Sequence, residues 1–331
     1  MQSIPHGGAL DRAIAEHGGR REDWLDLSTG INPVAWPVPE LAADVWQRLP
    51  GDSLVTACLE AARGYYGVPD GAGIVAAPGT QAIIQWLPHL FNYLDRVTIV
   101  SPTYGEYAHA FHMAGASIET PPDLSEGDIG PLVVIGQPNN PDGRAWPAER
   151  IARMMRGEGG VRMVIADEAF ADVAPERSVV GLTGQPGLTV LRSFGKFFGL
   201  AGVRLGFAIG DPDVIASLRQ MIGPWAVPGP ALAIGAQALQ DRRWIAYTRA
   251  RLSEDSARLA DMLEKAGFEI AGKTDLFVLA AHDEAARIAK KLTQRHVLVR
   301  PFDYEPRWLR FGLPGGTQDL ARLDSALAGC L

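Results

Sequence analysis

Residues 193–204 read SFGKFFGLAGVR and place Lys196 directly after a run of apolar residues. Ser193 stands three residues before this lysine and Arg204 eight residues after it, among glycine and aromatic side chains. A lysine amine becomes a nucleophile only when burial or nearby cations lower its pKa from about 10.4. The apolar neighbours are compatible with that, although a lysine in a loop is ordinarily a solvated surface charge. The stretch therefore contains a candidate catalytic lysine, whose role depends on what other segments of the sequence indicate.

Two polar segments follow other apolar runs. Residues 164–170 read VIADEAF and put Asp167 at the carboxyl end of a predicted strand, where open α/β sheets bind ligands. A carboxylate there could keep a heteroaromatic nitrogen protonated, or it could cap a following helix. Residues 136–143 read GQPNNPDG and contain Asn140, in a composition that is also typical of an ordinary turn. Each position has both a functional and a structural explanation.

A glycine loop opens a predicted helix earlier in the chain. Residues 77–84 read APGTQAII, in which Gly79 and Thr80 precede the helix. Backbone N–H groups at such a helix start bind phosphate readily. Because most loops of this kind bind nothing, the segment gains weight only in combination with the others.

Short apolar runs rich in β-branched residues alternate with helical patterns over the middle of the chain. They predict strands at 96–101, 132–136, 161–166, 188–192 and 204–209, and helices at 80–94 and 148–156. Strands that alternate with helices predict an α/β fold with a mainly parallel sheet covered on both faces.

The stretch IGPWAVPGP, residues 222–230, interrupts this alternation. Beyond it the sequence predicts a helical region to residue 266, a strand at 275–281, a helix to 295, strands at 297–300 and 308–312, and a closing helix at 317–328 with Thr317 as its N-cap. These elements predict a second, smaller α/β domain. We expect a large domain at 25–229 and a small domain made of 230–331 together with the N-terminal segment 1–24.

The composition excludes several classes of protein. The 331 residues include 31 Lys and Arg against 38 Asp and Glu, and the net charge of −7 argues against nucleic-acid binding. With 47% hydrophobic and 21% charged residues the chain is not disordered. No apolar run reaches the ~20 residues of a membrane helix, and the N-terminus lacks a signal-peptide pattern. Since Cys58 and Cys330 form no metal motif, we expect a cytoplasmic enzyme without disulfides.

Taken together, the Gly79-Thr80 loop, Asn140-Pro141, Asp167 and the lysine stretch resemble the aspartate-aminotransferase superfamily of pyridoxal-phosphate enzymes, over about residues 28–310. The resemblance implies fold type I and the cofactor pyridoxal 5'-phosphate. It implies that Lys196 binds the cofactor covalently and transfers protons, that Asp167 contacts the pyridine nitrogen and that Asn140 contacts the ring 3'-oxygen. The same resemblance implies that Tyr104 stacks on the ring. It assigns the cofactor phosphate and its surroundings to Gly79, Thr80, Gln81, Ser193 and Arg204.

Within the superfamily the chain resembles the threonine-phosphate decarboxylases of cobalamin biosynthesis, which are close relatives of the histidinol-phosphate aminotransferases. The resemblance rests on PHGG at residues 5–8, on DLSTGINP at 26–33, and on Phe170, where most aminotransferases have a tyrosine. It implies decarboxylation of L-threonine O-3-phosphate to (R)-1-amino-2-propanol O-phosphate and CO2. A substrate of this kind is an amino acid that also carries a phosphate.

The resemblance also implies which residues bind the substrate. Arg310, in WLRFG, would bind the α-carboxylate, and Arg300, in VLVR, would bind the phosphate. Arginines bind such anions through bidentate hydrogen bonds. The remaining substrate residues that it implies are His6, Ile31, Asn32 and Asn140. Surface salt bridging is the alternative role for Arg300.

One position departs from the aminotransferase pattern. Leu49-Pro50 stands where relatives have a Tyr-Pro whose tyrosine reaches the cofactor phosphate of the partner subunit. A homodimer remains the expectation, whereas this particular contact between subunits is not implied here.

Two other functions remain open on the sequence. A histidinol-phosphate aminotransferase or a related pyridoxal-phosphate aminotransferase would use the same cofactor residues. The sensor domain of a transcription regulator is the non-enzyme alternative. It would follow a DNA-binding winged helix, and we expect none here because the first motif is reached at His6 and the chain is acidic.

Overall fold

The computed structural model describes residues 7–124 and 129–330, and the chain folds into two compact units. The larger unit comprises Trp36–Asn140 and Arg144–Ile245. The smaller unit comprises Pro141–Gly143 and the described parts of Met1–Ala35 and Ala246–Leu331. The domain limits expected from the sequence, at 24/25 and 229/230, stay a prediction.

The strands are, in chain order, β1 (Leu25–Asp26), β2 (Gly73–Ala77), β3 (Arg96–Ile99), β4 (Ser117–Glu119), β5 (Leu132–Gly136), β6 (Met163–Asp167), β7 (Leu188–Ser193), β8 (Gly206–Gly210), β9 (Glu269–Thr274), β10 (Phe277–Ala281), β11 (Val297–Leu298), β12 (Arg300–Pro301) and β13 (Trp308–Gly312). The α-helices are α1 (Leu10–His17), α2 (Ala43–Gln47), α3 (Asp52–Tyr66), α4 (Thr80–Leu90), α5 (Glu106–Met113), α6 (Ala148–Met155), α7 (Phe194–Phe197), α8 (Pro212–Ile222), α9 (Gly229–Ala238), α10 (Arg242–Lys265), α11 (Ala285–Thr293) and α12 (Thr317–Ala328). Short 3-10 helices span Arg21–Asp23, Glu158–Gly160, Ala171–Val173, Pro175–Arg177, Val180–Leu182 and Ala201–Val203.

The larger unit contains a seven-stranded sheet in the order β2-β8-β7-β6-β5-β3-β4. Only β8 runs antiparallel to its neighbours, and the other pairs are parallel. The apolar runs LVVIG of β5 and MVIA of β6 are buried throughout, as is typical of strands covered on both faces. The predicted α/β fold with a mainly parallel sheet is confirmed.

Helices pack on this sheet through apolar side chains that are almost fully buried. Ile84 of α4, Phe111 of α5 and Leu218 of α8 belong to one core cluster with residues of the strands. Burial of each such side chain stabilises the fold by roughly 1.5–3 kcal/mol. This core fixes α4 and α5 against the strand ends that carry the predicted site residues.

The smaller unit is built on an antiparallel sheet in the order β12-β13-β10-β9. The short strand β1 pairs in parallel with β11, and the chain continues beside β13, where Gly312 N donates to Leu27 O at 2.7 Å. A Cβ at Gly312 would lie 2.1 Å from Thr29 O, so glycine is required for this approach. The segment DLSTGINP is thereby held against β13.

Several predicted elements have different limits in the structure. Helix α4 ends at Leu90 because residues 91–94 form a turn, in which Leu94 N donates to Phe91 O at 2.9 Å. The helical region to residue 266 consists of two helices, α9 and α10. The strand at 297–300 is two short strands, because β11 pairs with β1 whereas β12 pairs with β13.

The prediction of Thr317 as an N-cap is wrong. Thr317 is the first residue of α12, and Gly316 occupies the cap position without a side-chain hydrogen bond. The φ angle of Gly316 is 155°, a conformation that glycine adopts readily. No helix in the described part of the chain is both long and apolar enough to cross a membrane.

Candidate active site

Asp167 is the last residue of β6, and both of its carboxylate oxygens accept hydrogen bonds. Tyr107 Oη donates to Oδ2 at 2.8 Å, and the backbone N–H of Ala169 donates to Oδ1 at 3.0 Å. Burial raises the pKa of Asp167, while these two hydrogen bonds and the charge of Lys196 lower it. The carboxylate is thus held in one orientation by donors of its own unit.

Lys196 lies on the four-residue helix α7, directly after β7. Its side chain is half-buried, and Nζ lies 5.7 Å from the ring centroid of Phe170. Because β6 and β7 are parallel neighbours, their carboxyl ends place Lys196 near enough to Asp167 to lower the pKa of that carboxyl. The loop is fixed by aromatic packing, since Phe198 stacks on Trp244 with ring centroids 5.6 Å apart.

The loop before α4 lies against the guanidinium of Arg204. Gly79 has a φ of 82°, and a Cβ there would lie 2.6 Å from Arg204 Nη2. A Cβ at Gly206 would lie 2.6 Å from Thr80 N, and Gly206 is the register partner of Ser193. The structure therefore brings the helix start, the guanidinium and the end of β7 together, an arrangement suited to an anion.

Tyr104 and Gln81 are joined by a hydrogen bond in the same unit. Tyr104 Oη donates to Gln81 Oε1 at 3.0 Å, and Gln81 Nε2 donates to Glu106 Oε2 at 2.7 Å. Burial, with Glu106 and Asp167 nearby, raises the pKa of Tyr104 to about 12, against the opposing effect of Arg204. The phenol therefore stays protonated at neutral pH and keeps this orientation.

Asn140 is half-buried in the loop that follows β5. The preceding residue, Asn139, is buried and ties that loop to the segment before α5. Its Oδ1 accepts from Thr103 Oγ1 at 2.7 Å, and its Nδ2 donates to Pro102 O at 2.9 Å. Asn139 thus links the loops that carry Asn140 and Tyr104.

In the smaller unit, Arg300 of β12 and Arg310 of β13 are directly opposed in the antiparallel register. Like charges in this position repel each other and destabilise the strand pair. Burial and the charge of Arg300 lower the pKa of Arg310 to about 10, against a smaller opposing effect of Tyr304. Burial also lowers the pKa of Arg300. An anion bound to both guanidinium groups would relieve this repulsion.

Arg310 is buried beneath the N-terminal segment of the smaller unit. Its Nη2 donates to Ser28 O at 2.9 Å, and its guanidinium lies 5.2 Å from the ring centroid of Phe277. Gly8 N donates to Ser28 Oγ at 2.8 Å, and a Cβ at Gly7 would lie 3.7 Å from Arg310 Nη2. Gly7 of the PHGG motif thus lies close to the arginine, and Gly8 binds Ser28 beside it. His6 lies outside the described residues.

Asn32 is buried, and its side chain is occupied by contacts within the smaller unit. Its Oδ1 accepts from Val34 N at 3.0 Å and from Arg251 Nη2 at 2.7 Å. Ile31 beside it is half-buried. The substrate roles of Ile31 and Asn32 stay predictions.

Three residues that the sequence reasoning missed support the predicted ones. Tyr107 binds Asp167, Asn139 positions the loop of Asn140, and Arg251 binds Asn32. Tyr107 lies on α5, three residues after Tyr104, which precedes that helix. Its closeness in sequence to Tyr104 was a usable signal, whereas nothing in the sequence pairs Arg251 with Asn32.

Comparison with known proteins relates the whole chain to one family. A model of the family "Aminotransferase class I and II" matches residues 51–323. A threonine-phosphate decarboxylase of Sinorhizobium sp is 44% identical over 98% of this chain and 98% of its own length. The threonine-phosphate decarboxylase of Pseudomonas aeruginosa is 39% identical over the same shares.

A solved structure has the same fold at low identity. The histidinol-phosphate aminotransferase of Sinorhizobium meliloti, in complex with pyridoxal-5'-phosphate, matches with a TM-score of 0.82 over 99% of this chain and 95% of its own. Its sequence is 17% identical, so this likeness concerns the fold alone.

Proposed function

This chain belongs to the aminotransferase class I and II family, and we propose that it is a pyridoxal-phosphate-dependent carboxy-lyase acting on L-threonine O-3-phosphate. The products would be (R)-1-amino-2-propanol O-phosphate and CO2, for cobalamin biosynthesis. The observation that carries the proposal is the similarity of 44% and 39%, over nearly the full length, to two threonine-phosphate decarboxylases. The opposed arginines of β12 and β13 support it, because this substrate has two anionic groups.

The residues of the larger unit fit pyridoxal phosphate. The loop at Gly79 leaves no room for a Cβ beside Arg204, as expected of a cradle in which backbone N–H groups and a guanidinium bind a phosphate. Asp167 offers a carboxylate whose pKa is raised by burial for a protonated ring nitrogen, and Lys196 offers a half-buried amine close to it. We assign the phosphate to Gly79, Thr80, Ser193 and Arg204, and we include Gln81 among the cofactor residues.

Bound pyridoxal phosphate supplies a ring that accepts the electron pair released when a bond at the substrate Cα breaks. Lys196 Nζ would attach the cofactor covalently and return a proton to Cα. The Asp167 carboxylate would keep the ring nitrogen protonated. Asn140 would contact the ring 3'-oxygen, and the Tyr104 ring would pack on the face of the heterocycle.

The arginines of the smaller unit would orient the substrate. Arg310 would bind the α-carboxylate and Arg300 the phosphate, each through bidentate hydrogen bonds. Because the two groups lie at opposite ends of the substrate, binding both decides which bond of Cα is presented for cleavage. Cleavage of the bond from Cα to the carboxylate would give CO2, whereas cleavage of the Cα–H bond would give transamination. We include His6, Ile31, Asn32 and Asn140 among the substrate residues.

We also propose that the enzyme is a homodimer. Large apolar side chains are exposed on the larger unit at Trp46, Leu49 and Trp225. A Cβ at Gly229 would lie 2.5 Å from Val45 O, which shows how closely α9 approaches α2. Exposed apolar side chains of this size suit burial against a second copy of the chain.

A cytoplasmic location would suit the cysteine chemistry. Both Cys58 and Cys330 are free and buried, as expected of a protein in a reducing compartment.

Incubation with L-threonine O-3-phosphate, without any keto acid, tests the proposal. We expect stoichiometric CO2 and an amino alcohol phosphate. Glutamate formed from histidinol phosphate and 2-oxoglutarate, without CO2 from phosphothreonine, would instead identify an aminotransferase. Cofactor binding without turnover of either substrate would favour a sensor.

A further inference from the structure

Tyr107 donates a side-chain hydrogen bond to Asp167. Its ring is 1% exposed on α5, and its hydroxyl lies 2.8 Å from Asp167 Oδ2. The ring meets Tyr104 edge to face, with centroids 6.4 Å apart. Tyr107 is therefore locked between the predicted ring-stacking residue and the predicted partner of the ring nitrogen.

The hydroxyl of Tyr107 acts as a donor in this contact. Burial and the neighbouring charge of Asp167 raise the pKa of Tyr107 well above its usual value, so that the phenol keeps its proton. A donated hydrogen bond favours the charged form of a buried carboxyl. The other titratable group that lowers the pKa of Asp167 is Lys196, on α7, and Asp167 in turn helps to raise the pKa of Tyr104, before α5. Glu168 beside it is paired with Arg192.

We propose that Tyr107 is a positioning residue that fixes Asp167 and keeps it ionised for the protonated ring nitrogen. The inference rests on the proposed role of Asp167 in cofactor binding. A buried carboxylate without this donor is the stronger base, so the proton shared with the ring nitrogen moves toward Asp167. The ring then withdraws electrons less strongly, although Lys196 and the phosphate residues are unchanged.

The test compares Tyr107→Phe with Tyr66→Phe. Both changes remove one buried phenol oxygen and leave the ring, but the Tyr66 hydroxyl donates to no carboxylate in the described part of the chain. The measurement is the 15N chemical shift of pyridoxal phosphate labelled at the ring nitrogen, together with cofactor affinity from pH 5 to 9.

For Tyr107→Phe we expect a shift toward the unprotonated nitrogen and an affinity about tenfold lower. The loss of affinity on acidification should also begin at higher pH, because the pKa of Asp167 rises when a donor is removed. Tyr66→Phe should match the unmodified protein in the 15N shift, in cofactor affinity and in the pH at which affinity begins to fall. An unchanged 15N shift in Tyr107→Phe would overturn the inference.

Two further variants keep the result unambiguous. 3-Fluorotyrosine at position 107 is a more acidic donor of nearly the same shape. With it, the loss of cofactor affinity on acidification should begin at lower pH. If that pH does not change, the inference is contradicted, even where Tyr107→Phe folds poorly. Asp167→Asn should abolish ring-nitrogen protonation. A protonated nitrogen in Asp167→Asn would remove Asp167 from its proposed role, a failure distinct from that of Tyr107.

Discussion

Asp167 and Arg310 are both charged side chains in buried surroundings, but their neighbours differ. Asp167 accepts two hydrogen bonds and lies near the ammonium of Lys196, which together oppose the effect of burial on its pKa. Arg310 donates to Ser28 O but faces Arg300, a second cation, which adds to the effect of burial and lowers its pKa to about 10. The carboxylate is stabilised within its own unit, whereas the arginine is in surroundings that an anion would improve.

This contrast separates two kinds of site. Donors that are fixed before a ligand arrives require no rearrangement during reaction, which is how electrostatic catalysis is most effective. Repulsion between Arg300 and Arg310 would instead be relieved by an anion bound to them, and under the proposed function it would contribute to affinity for a doubly anionic substrate.

The largest expected effect follows from Lys196→Ala. Without the amine, covalent attachment of the cofactor and return of the proton are both lost, so we expect turnover to fall by at least about a thousandfold. Lys290→Ala, on the exposed end of α11, is the matched control. Borohydride reduction followed by peptide mapping should place the cofactor on Lys196, and an adduct on another lysine would contradict the assignment.

The next effect tests the stabilised carboxylate. Asp167→Asn keeps the shape but removes the charge, and we expect a loss of turnover of about a hundredfold, or about 2.7 kcal/mol in barrier. The exposed Asp261→Asn on α10 should leave turnover unchanged. Near-normal turnover in Asp167→Asn would leave this carboxylate with a structural role only, through its hydrogen bonds with Ala169 and Tyr107.

The roles of Arg300 and Arg310 can be distinguished by comparing two substrates, phosphothreonine and threonine. Removal of a hydrogen bond to a charged group costs about 1.5–3 kcal/mol, or ten- to a hundredfold. Arg300→Ala should therefore raise KM for phosphothreonine by that factor and hardly change threonine binding, whereas Arg310→Ala should weaken both. Steady-state constants for both amino acids provide the measurement. An equal rise in KM for phosphothreonine and threonine in Arg300→Ala would contradict the assignment of Arg300 to the phosphate.

The smallest expected effect is a shift in the alkaline limb of the pH profile for phosphothreonine binding. Arg310 has a pKa of about 10, below its usual value, so its charge is present at neutral pH and is lost as pH rises through about 10. Affinity for phosphothreonine should fall over that range. Arg300→Ala removes the like charge, so the pKa of Arg310 rises and the limb moves to higher pH. Binding measured from pH 8 to 11 checks this, and a limb that stays in place contradicts the coupling.

The sequence was sufficient to predict the carboxyl ends of β5, β6 and β7 to within one residue. The buried apolar runs before Asp167 and Lys196 have a composition that only covered strands tolerate. Parallel neighbours end at the same edge of a sheet, so residues 29 positions apart come close. The helical pattern likewise predicted the start of α4 at Thr80.

The supporting contacts could not be predicted in this way. The bond from Tyr107 to Asp167 depends on how α5 packs over the sheet. The opposition of Arg300 and Arg310 depends on the register of β12 and β13, since a slip of one residue would turn one side chain to the other face. Local patterns carry no information about either choice.

Decarboxylation in D2O tests the central claim most directly, because it reports which bond of the substrate Cα breaks. If Arg300 and Arg310 present the carboxylate bond, L-threonine O-3-phosphate should yield one CO2 per amino alcohol phosphate. The product should retain the original Cα hydrogen and gain one deuterium, as read by NMR. Loss of the original hydrogen with formation of a keto acid, and without CO2, would contradict the account.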